Sequence, residues 1–150
     1  MFKASPVGAA FNYKEAYRNL PKSSLKGIKL LFIDDDYVNY IYFHEMLKPS
    51  GVIVERAISL PEAVYKLKTS FDIRIAIISL TDINNSNQDI IRSVKGMFPE
   101  LPILTITDRQ YTLKQDYFTA GCDSYINRHT DFDQLVNTIE DLLEEKSIAG

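Results

Sequence analysis

Cysteine, histidine and glycine-rich loops are scarce in this chain, and each scarcity excludes a class of site. The single cysteine, Cys122, has no partner for an internal disulfide, so we expect a protein of a reducing compartment. The two histidines, His44 and His129, do not have the spacing of a zinc site. No GxGxxG or Walker-type glycine run follows the first apolar segment, which argues against a dinucleotide or nucleoside triphosphate site.

Long apolar runs and an excess of basic residues are also missing. No stretch is long enough to cross a bilayer, and the N-terminus, MFKASPVGAAFNY, lacks the apolar core of a secretory signal. The formal net charge is -3, whereas a nucleic-acid-binding domain typically carries a basic patch. We therefore expect a soluble, cytoplasmic domain with no nucleic-acid partner and no direct membrane contact, either alone or as the cytoplasmic part of a membrane-anchored protein.

The composition is sufficient for one globular core. The chain has 150 residues, of which 45% are hydrophobic and 25% are charged, as is typical of a single folded domain. Residues 1–27 lack a sustained apolar period and end in the stretch LPKSSLKG, so we assign them to an N-terminal lead-in or linker. We predict the folded domain at residues 28–147 and a short C-terminal tail at residues 148–150.

Five short apolar runs predict five strands that are buried on both faces. They are KLLFI (29–33), VIVERA (52–57), IRIAIISL (73–80), PILTIT (102–107) and SYI (124–126). Helical patterns lie between the runs; one begins at the signal Ser59-x-x-Glu62, and Thr130 is the predicted N-cap of the last. This alternation predicts a three-layer α/β domain with a doubly wound parallel sheet.

Polar side chains follow the strands at the edge where ligands bind in such sheets. They are Asp34, Asp35, Asp36, Ser79, Thr107, Asp108, Asn127, Arg128 and His129. Adjacent carboxylates repel each other unless a cation compensates, so the three acids predict a Mg²⁺ site or, as an equal alternative, a helix N-cap at Asp36. Arg128 favours a charged pocket, because a guanidinium group can balance the acids.

Several of these segments resemble the receiver domain of response regulators in bacterial two-component systems. LLFIDDD resembles the family's first strand and acidic pair, PILTIT its fourth strand, and AGCDSYINR its fifth strand with the residues that follow. The resemblance runs from Lys29 to Leu143 and implies a flavodoxin-like strand order, 2-1-3-4-5, with five helices. VNYIYFHEML and AGCDSYI most resemble the receivers attached to hybrid sensor kinases.

The resemblance also implies roles for individual residues. Asp34 and Asp35 fall on the family's Mg²⁺ ligands, and Thr107 falls on the hydroxyl that senses the phosphoryl group. Tyr125 falls on the aromatic switch position, and Arg128 replaces the family's lysine. Arginine and lysine are not interchangeable where a compact charge must reach a phosphoryl oxygen, so this replacement predicts weakened chemistry.

The phosphate-accepting position is the main departure from the family. The family's acceptor aspartate closes the third strand, and the register of FDIRI and QDIIR places Ser79 there. A hydroxyl is neither a good Mg²⁺ ligand nor readily converted into an acyl phosphate. A second register, in which DINNSNQD matches the family's acceptor loop, would make Asp82 the acceptor. We favour Ser79, because the Asp82 register would shorten the third helix by a turn.

Three functions follow from these patterns. The first is a pseudo-receiver: a phosphorelay signalling module that is not an enzyme, binds Mg²⁺ weakly, and acts by contact with a histidine kinase, a histidine phosphotransfer protein or another signalling protein. The second is an active receiver that is phosphorylated at Asp82 and dephosphorylates itself. The third is a small-ligand binder on a flavodoxin-like scaffold.

Val38 and Ile41 leave an apolar strip on the first helix, to be covered by residues 1–27 or by a partner.

Overall fold

The computed structural model describes residues 25–80, 86–107 and 118–149, and its strands form one parallel sheet. The strands are β1 (Lys29–Ile33), β2 (Ile53–Ala57), β3 (Ile73–Leu80), β4 (Ile103–Thr107) and β5 (Ser124–Asn127). Their order is β2-β1-β3-β4-β5, and every neighbouring pair is parallel. The predicted doubly wound sheet with order 2-1-3-4-5 is therefore confirmed.

Helices follow the strands and cover both faces of the sheet. They are α1 (Tyr37–Leu47), α2 (Leu60–Thr69), α3 (Ser86–Met97), α4 (118–120) and α5 (Phe132–Ala149). A short 3₁₀ turn, Lys48–Ser50, follows α1. Within the described ranges, no helix combines the length and the apolar character that a bilayer span requires.

Polar side chains fix the starts of the first two helices. Asp36 is the N-cap of α1, where its carboxylate accepts a hydrogen bond from the backbone N–H of Asn39 over 3.2 Å. Ser59 caps α2 in the same way by accepting from the N–H of Glu62 over 3.3 Å. Such caps satisfy N–H groups that have no partner inside the helix. Both predicted caps are confirmed, and the α1 cap directs the first turn of that helix over the sheet edge.

The start of α5 differs from the prediction. Asp131, not Thr130, is the capping residue, because its carboxylate accepts from the backbone N–H of Gln134 over 2.8 Å. The Thr130 hydroxyl is buried and instead lies 3.0 Å from the side-chain oxygen of Gln134. The predicted cap was therefore wrong by one residue. Two capping residues are adjacent here, and a carboxylate is the stronger acceptor for a helix N-terminus.

Alternate residues of each strand supply the two halves of the core. On β1, Leu30 and Phe32 pack with α1 and α5, whereas Leu31 and Ile33 pack with α2 and α3. All four side chains are almost completely buried. Successive side chains of a strand point to opposite faces, so a sheet covered on both faces needs a continuous apolar run. This burial holds the strand ends, and the polar residues that follow them, in fixed positions.

The start of the folded domain includes part of the predicted lead-in. Leu25 is fully buried and belongs to the same core cluster as Phe32 and Leu47. The backbone N–H of Gly27 also donates to the carbonyl of Gly51 over 2.9 Å. The chain is thus packed against the domain from Leu25 onward. Residues 1–24 lie outside the described part of the chain, and their assignment as a lead-in stays a prediction.

Candidate functional site

The first acid after β1 is the buried one. Asp34 is only 3% exposed, whereas Asp35 and Asp36 are exposed. One carboxylate oxygen of Asp34 accepts from the backbone N–H of Asp36 over 2.9 Å, and the other accepts from the side-chain amide of Asn39. Burial raises the pKa of Asp34, and the hydrogen bonds from Asn39, Asp36 and Ser79 partly oppose that rise. The acids therefore have different roles: Asp34 lies in the pocket, whereas Asp36 caps α1.

Ser79 lies beside Asp34 because of the register of β1 and β3. Ile33 pairs with Ile78 across these strands, so the next residue on each strand, Asp34 and Ser79, lies at the same sheet edge. Ser79 is 7% exposed, and its neighbour on β4 is Ile106. The buried Ser79 hydroxyl requires hydrogen-bonding partners, since an unpaired hydroxyl in the interior lowers the stability of the fold.

Asn39 supplies one of those partners and was not anticipated from the sequence. Its side-chain nitrogen donates to the Ser79 hydroxyl over 2.7 Å and also to the carboxylate of Asp34. The residue lies in the first turn of α1, three positions after its cap, Asp36. Asparagine is a weak helix former, which is the only sequence signal that could have identified it.

Arg128 reaches the cluster of Asp34, Ser79 and Asn39 from the end of β5. It follows β5, where its backbone N–H donates to the carbonyl of Thr107 over 2.9 Å. Its guanidinium Nη1 donates to the side-chain oxygen of Asn39 over 2.5 Å and lies 3.4 Å from the Ser79 hydroxyl. Arg128 therefore reaches the acidic pocket predicted for it, and Asn39 links it to Asp34.

Thr107 and Tyr125, the predicted switch positions, lie in neighbouring strands. Thr107 ends β4 and is 2% exposed. Tyr125 lies in β5, is half-buried and packs edge-on against Phe118 with ring centroids 5.6 Å apart. Their switch roles stay predictions. The alternative acceptor, Asp82, lies outside the described residues.

A second arginine approaches the pocket and was also missed. Arg56 lies one residue before the end of β2, the edge strand of the sheet, and its Nε donates to the backbone carbonyl of Asp34 over 3.2 Å. The guanidinium carbon lies 5.2 Å from the ring centroids of both Tyr37 and Tyr40. Such cation–π contacts hold a guanidinium group in place. Arg56 thus adds a fixed positive charge next to the acids that follow β1, residues 34–36.

The described pocket residues offer a magnesium ion few oxygen ligands. Mg²⁺ requires oxygen ligands in near-octahedral geometry, with lone pairs directed at one point. Both carboxylate oxygens of Asp34 already accept hydrogen bonds, Asp35 is exposed, and Ser79 offers a hydroxyl where a further carboxylate would be needed. In the part of the chain that the structure describes, no group of three or more His, Cys, Asp or Glu side chains could hold a metal ion. A weak Mg²⁺ site at Asp34 and Asp35 stays a prediction.

Comparison with known proteins identifies the fold. No family model and no curated protein matches this chain. Among solved structures, the chain is similar to a CheY-like response regulator receiver domain protein from Methanospirillum hungatei, with 22% identity, a TM-score of 0.72, and coverage of 85% of this chain and 100% of that chain. It is also similar to the chemotaxis protein CheY4 of Vibrio cholerae, with 19% identity, a TM-score of 0.69, and coverage of 77% and 98%.

A third similar structure is NtrX from Brucella abortus, with 18% identity and a TM-score of 0.72. The match covers 82% of this chain but only 28% of that one. At these identities the likeness establishes the fold, which is that of CheY-like receiver domains. The predicted resemblance is confirmed to this extent, while the loss of the acceptor and the likeness to hybrid kinases stay predictions.

Proposed function

We propose that this protein is a phosphorelay-type signalling module that has lost its phosphoacceptor and works through protein contact. The observation that supports this most strongly is the place of Ser79. Strand pairing brings it next to Asp34 at the carboxyl end of β3, which is where the receiver resemblance calls for the acceptor aspartate. A serine at this place removes the carboxylate that would form the acyl phosphate.

The hydroxyl of Ser79 is poorly suited to replace that carboxylate. Its oxygen accepts from the side-chain nitrogen of Asn39 over 2.7 Å and from Nη1 of Arg128 over 3.4 Å. A hydroxyl oxygen has two lone pairs, and these two contacts occupy both of them. A serine nucleophile needs a free lone pair and a base positioned for the reaction. The contacts therefore favour a structural role for Ser79 over a reactive one.

The exposed face of α1 supports function by contact. Tyr37, Val38, Ile41 and Tyr42 are 61%, 77%, 36% and 52% exposed. Beside them, a groove of about 510 Å³ runs between α1 and the start of α5. It is lined by Ile41, Tyr42, Glu45, Met46, Thr130, Asp131 and Phe132. Contiguous apolar surface of this kind marks interaction sites. The partner we propose is a histidine kinase, a histidine phosphotransfer protein or another signalling protein.

Labelling with a small phosphodonor tests this function. After incubation with Mg²⁺ and acetyl phosphate, we expect mass spectrometry to detect no hydroxylamine-labile phosphoryl group on the wild-type protein. Ser79→Asp should gain partial labelling, and Ser79→Asp combined with Arg128→Lys should label faster, because a compact ammonium group replaces the planar guanidinium. An adduct on the wild type that disappears in Asp82→Asn would instead support the alternative, an active receiver with a shifted acceptor.

A further inference from the structure

We propose that Asn39 closes the pocket formed by Asp34, Ser79 and Arg128 to cations. Its side-chain amide group holds these three side chains together by hydrogen bonds. The proposal concerns what occupies the pocket and does not depend on the signalling function proposed above. Asn39 comes from α1, whereas its partners follow or end β1, β3 and β5. A single side chain therefore connects the ends of three strands with the helix that crosses above them.

The chemistry of the partners fixes the orientation of the amide. An ionised carboxylate can only accept hydrogen bonds and a guanidinium group can only donate them. The Asn39 nitrogen must therefore face Asp34, and the Asn39 oxygen must face Arg128, which is the arrangement present. The amide nitrogen uses its two hydrogens on Asp34 and Ser79, and the amide oxygen accepts over 2.5 Å from Arg128.

The same contacts explain why the pocket does not suit a divalent cation. A cation would have to share the Asp34 carboxylate with the donors already bound to it, because one oxygen accepts from the Asp36 N–H and the other from Asn39. The amide hydrogens carry partial positive charge and would repel a cation placed beside them. Mg²⁺ would therefore have to displace the side chain of Asn39, breaking its bonds to Ser79 and Arg128 as well. The N–H donors offset part of the cost of burying the Asp34 charge, although burial still raises the pKa of this carboxyl group.

This closure can be tested by measuring Mg²⁺ affinity in the Ser79→Asp variant, which restores the missing carboxylate. We would compare Ser79→Asp with Ser79→Asp, Asn39→Ala by isothermal titration with MgCl₂ alone. Removing Asn39 should free Asp34 and tighten Mg²⁺ binding by about tenfold, which is the effect of no longer having to break one hydrogen bond to a charged group. The matched control is Asn137→Ala in the same background, since Asn137 is an exposed asparagine on α5. It should leave the affinity unchanged.

Equal Mg²⁺ affinity of the two variants, including no measurable binding by either, would overturn the proposal. If Asn39→Ala does not fold, Asn39→Ser in the same background provides the test, because serine keeps a polar group but cannot span the three partners. The wild type and Asn39→Ser would also be compared by the NMR signal of the Arg128 side-chain Nε–H. We expect this signal to shift and to exchange faster with water in the variant, and an unchanged signal would contradict the closure.

Discussion

The contact between Asn39 and Arg128 can be measured by a double-mutant cycle on the free energy of unfolding. Arg128 Nη1 donates to the Asn39 oxygen over 2.5 Å, and both side chains are partly buried. A hydrogen bond to a charged group contributes about 1.5–3 kcal/mol. Asn39→Ala also removes a donor from Asp34 and from Ser79, so we expect the single variant to lose about 3 kcal/mol of stability. Arg128→Ala should lose less, and the coupling energy should be about 1–2 kcal/mol.

The assay is urea unfolding at neutral pH, followed by far-UV circular dichroism. An exposed pair in the same chain is the control: Arg92 lies 3.0 Å from Asp89, with side chains 58% and 73% exposed. Its coupling energy should be about 0.5 kcal/mol or less, as for other exposed pairs three residues apart on a helix. A coupling energy for Asn39 and Arg128 no larger than that of the control pair would refute the closed network.

Three further predictions concern packing and reactivity outside the pocket. Leu25→Ala should lower the free energy of unfolding by about 2–4 kcal/mol, because a fully buried leucine leaves a cavity; a loss near zero would show that residue 25 is not part of the core. Asp123→Ala should cost about 1–2 kcal/mol, because its carboxylate joins Lys95 to the N–H of Ile103; unchanged amide exchange at Ile103 would contradict this. Burial raises the pKa of Cys122 above its ordinary 9.0, so iodoacetamide should alkylate the native thiol far more slowly than the urea-unfolded one at pH 8; equal rates would exclude burial.

The fold was predictable because its signals are local. A strand such as β1 is covered on both faces, so its burial requires an unbroken apolar run that is visible in five residues of sequence. Helix starts were nearly as accessible, since capping depends on side chains within three positions. The error at Thr130 arose where Asp131 offers a second, stronger capping group one residue later.

The site was predictable in its positions but not in its contacts. Strand ends converge in a parallel sheet, which is why Asp34, Ser79 and Arg128 could be grouped from sequence alone. Asn39 could not be added to this group, because it lies inside α1 and not at a strand end, and its partners Ser79 and Arg128 are 40 and 89 residues away in the chain. Arg56 was missed for a similar reason: its aromatic neighbours come from a helix that only the fold places beside β2.

Titration with Mg²⁺ and beryllofluoride, a mimic of the phosphoryl group, tests the central claim most directly. The readout is the backbone amide shifts of Thr107, Tyr125 and Arg128, which line the predicted switch. We predict that these shifts stay constant up to millimolar concentrations, because Ser79 presents no carboxylate to bind the mimic and Asn39 holds Asp34. Saturable shifts at these three residues would contradict the claim, and their loss in Asp82→Asn would assign the acceptor to Asp82.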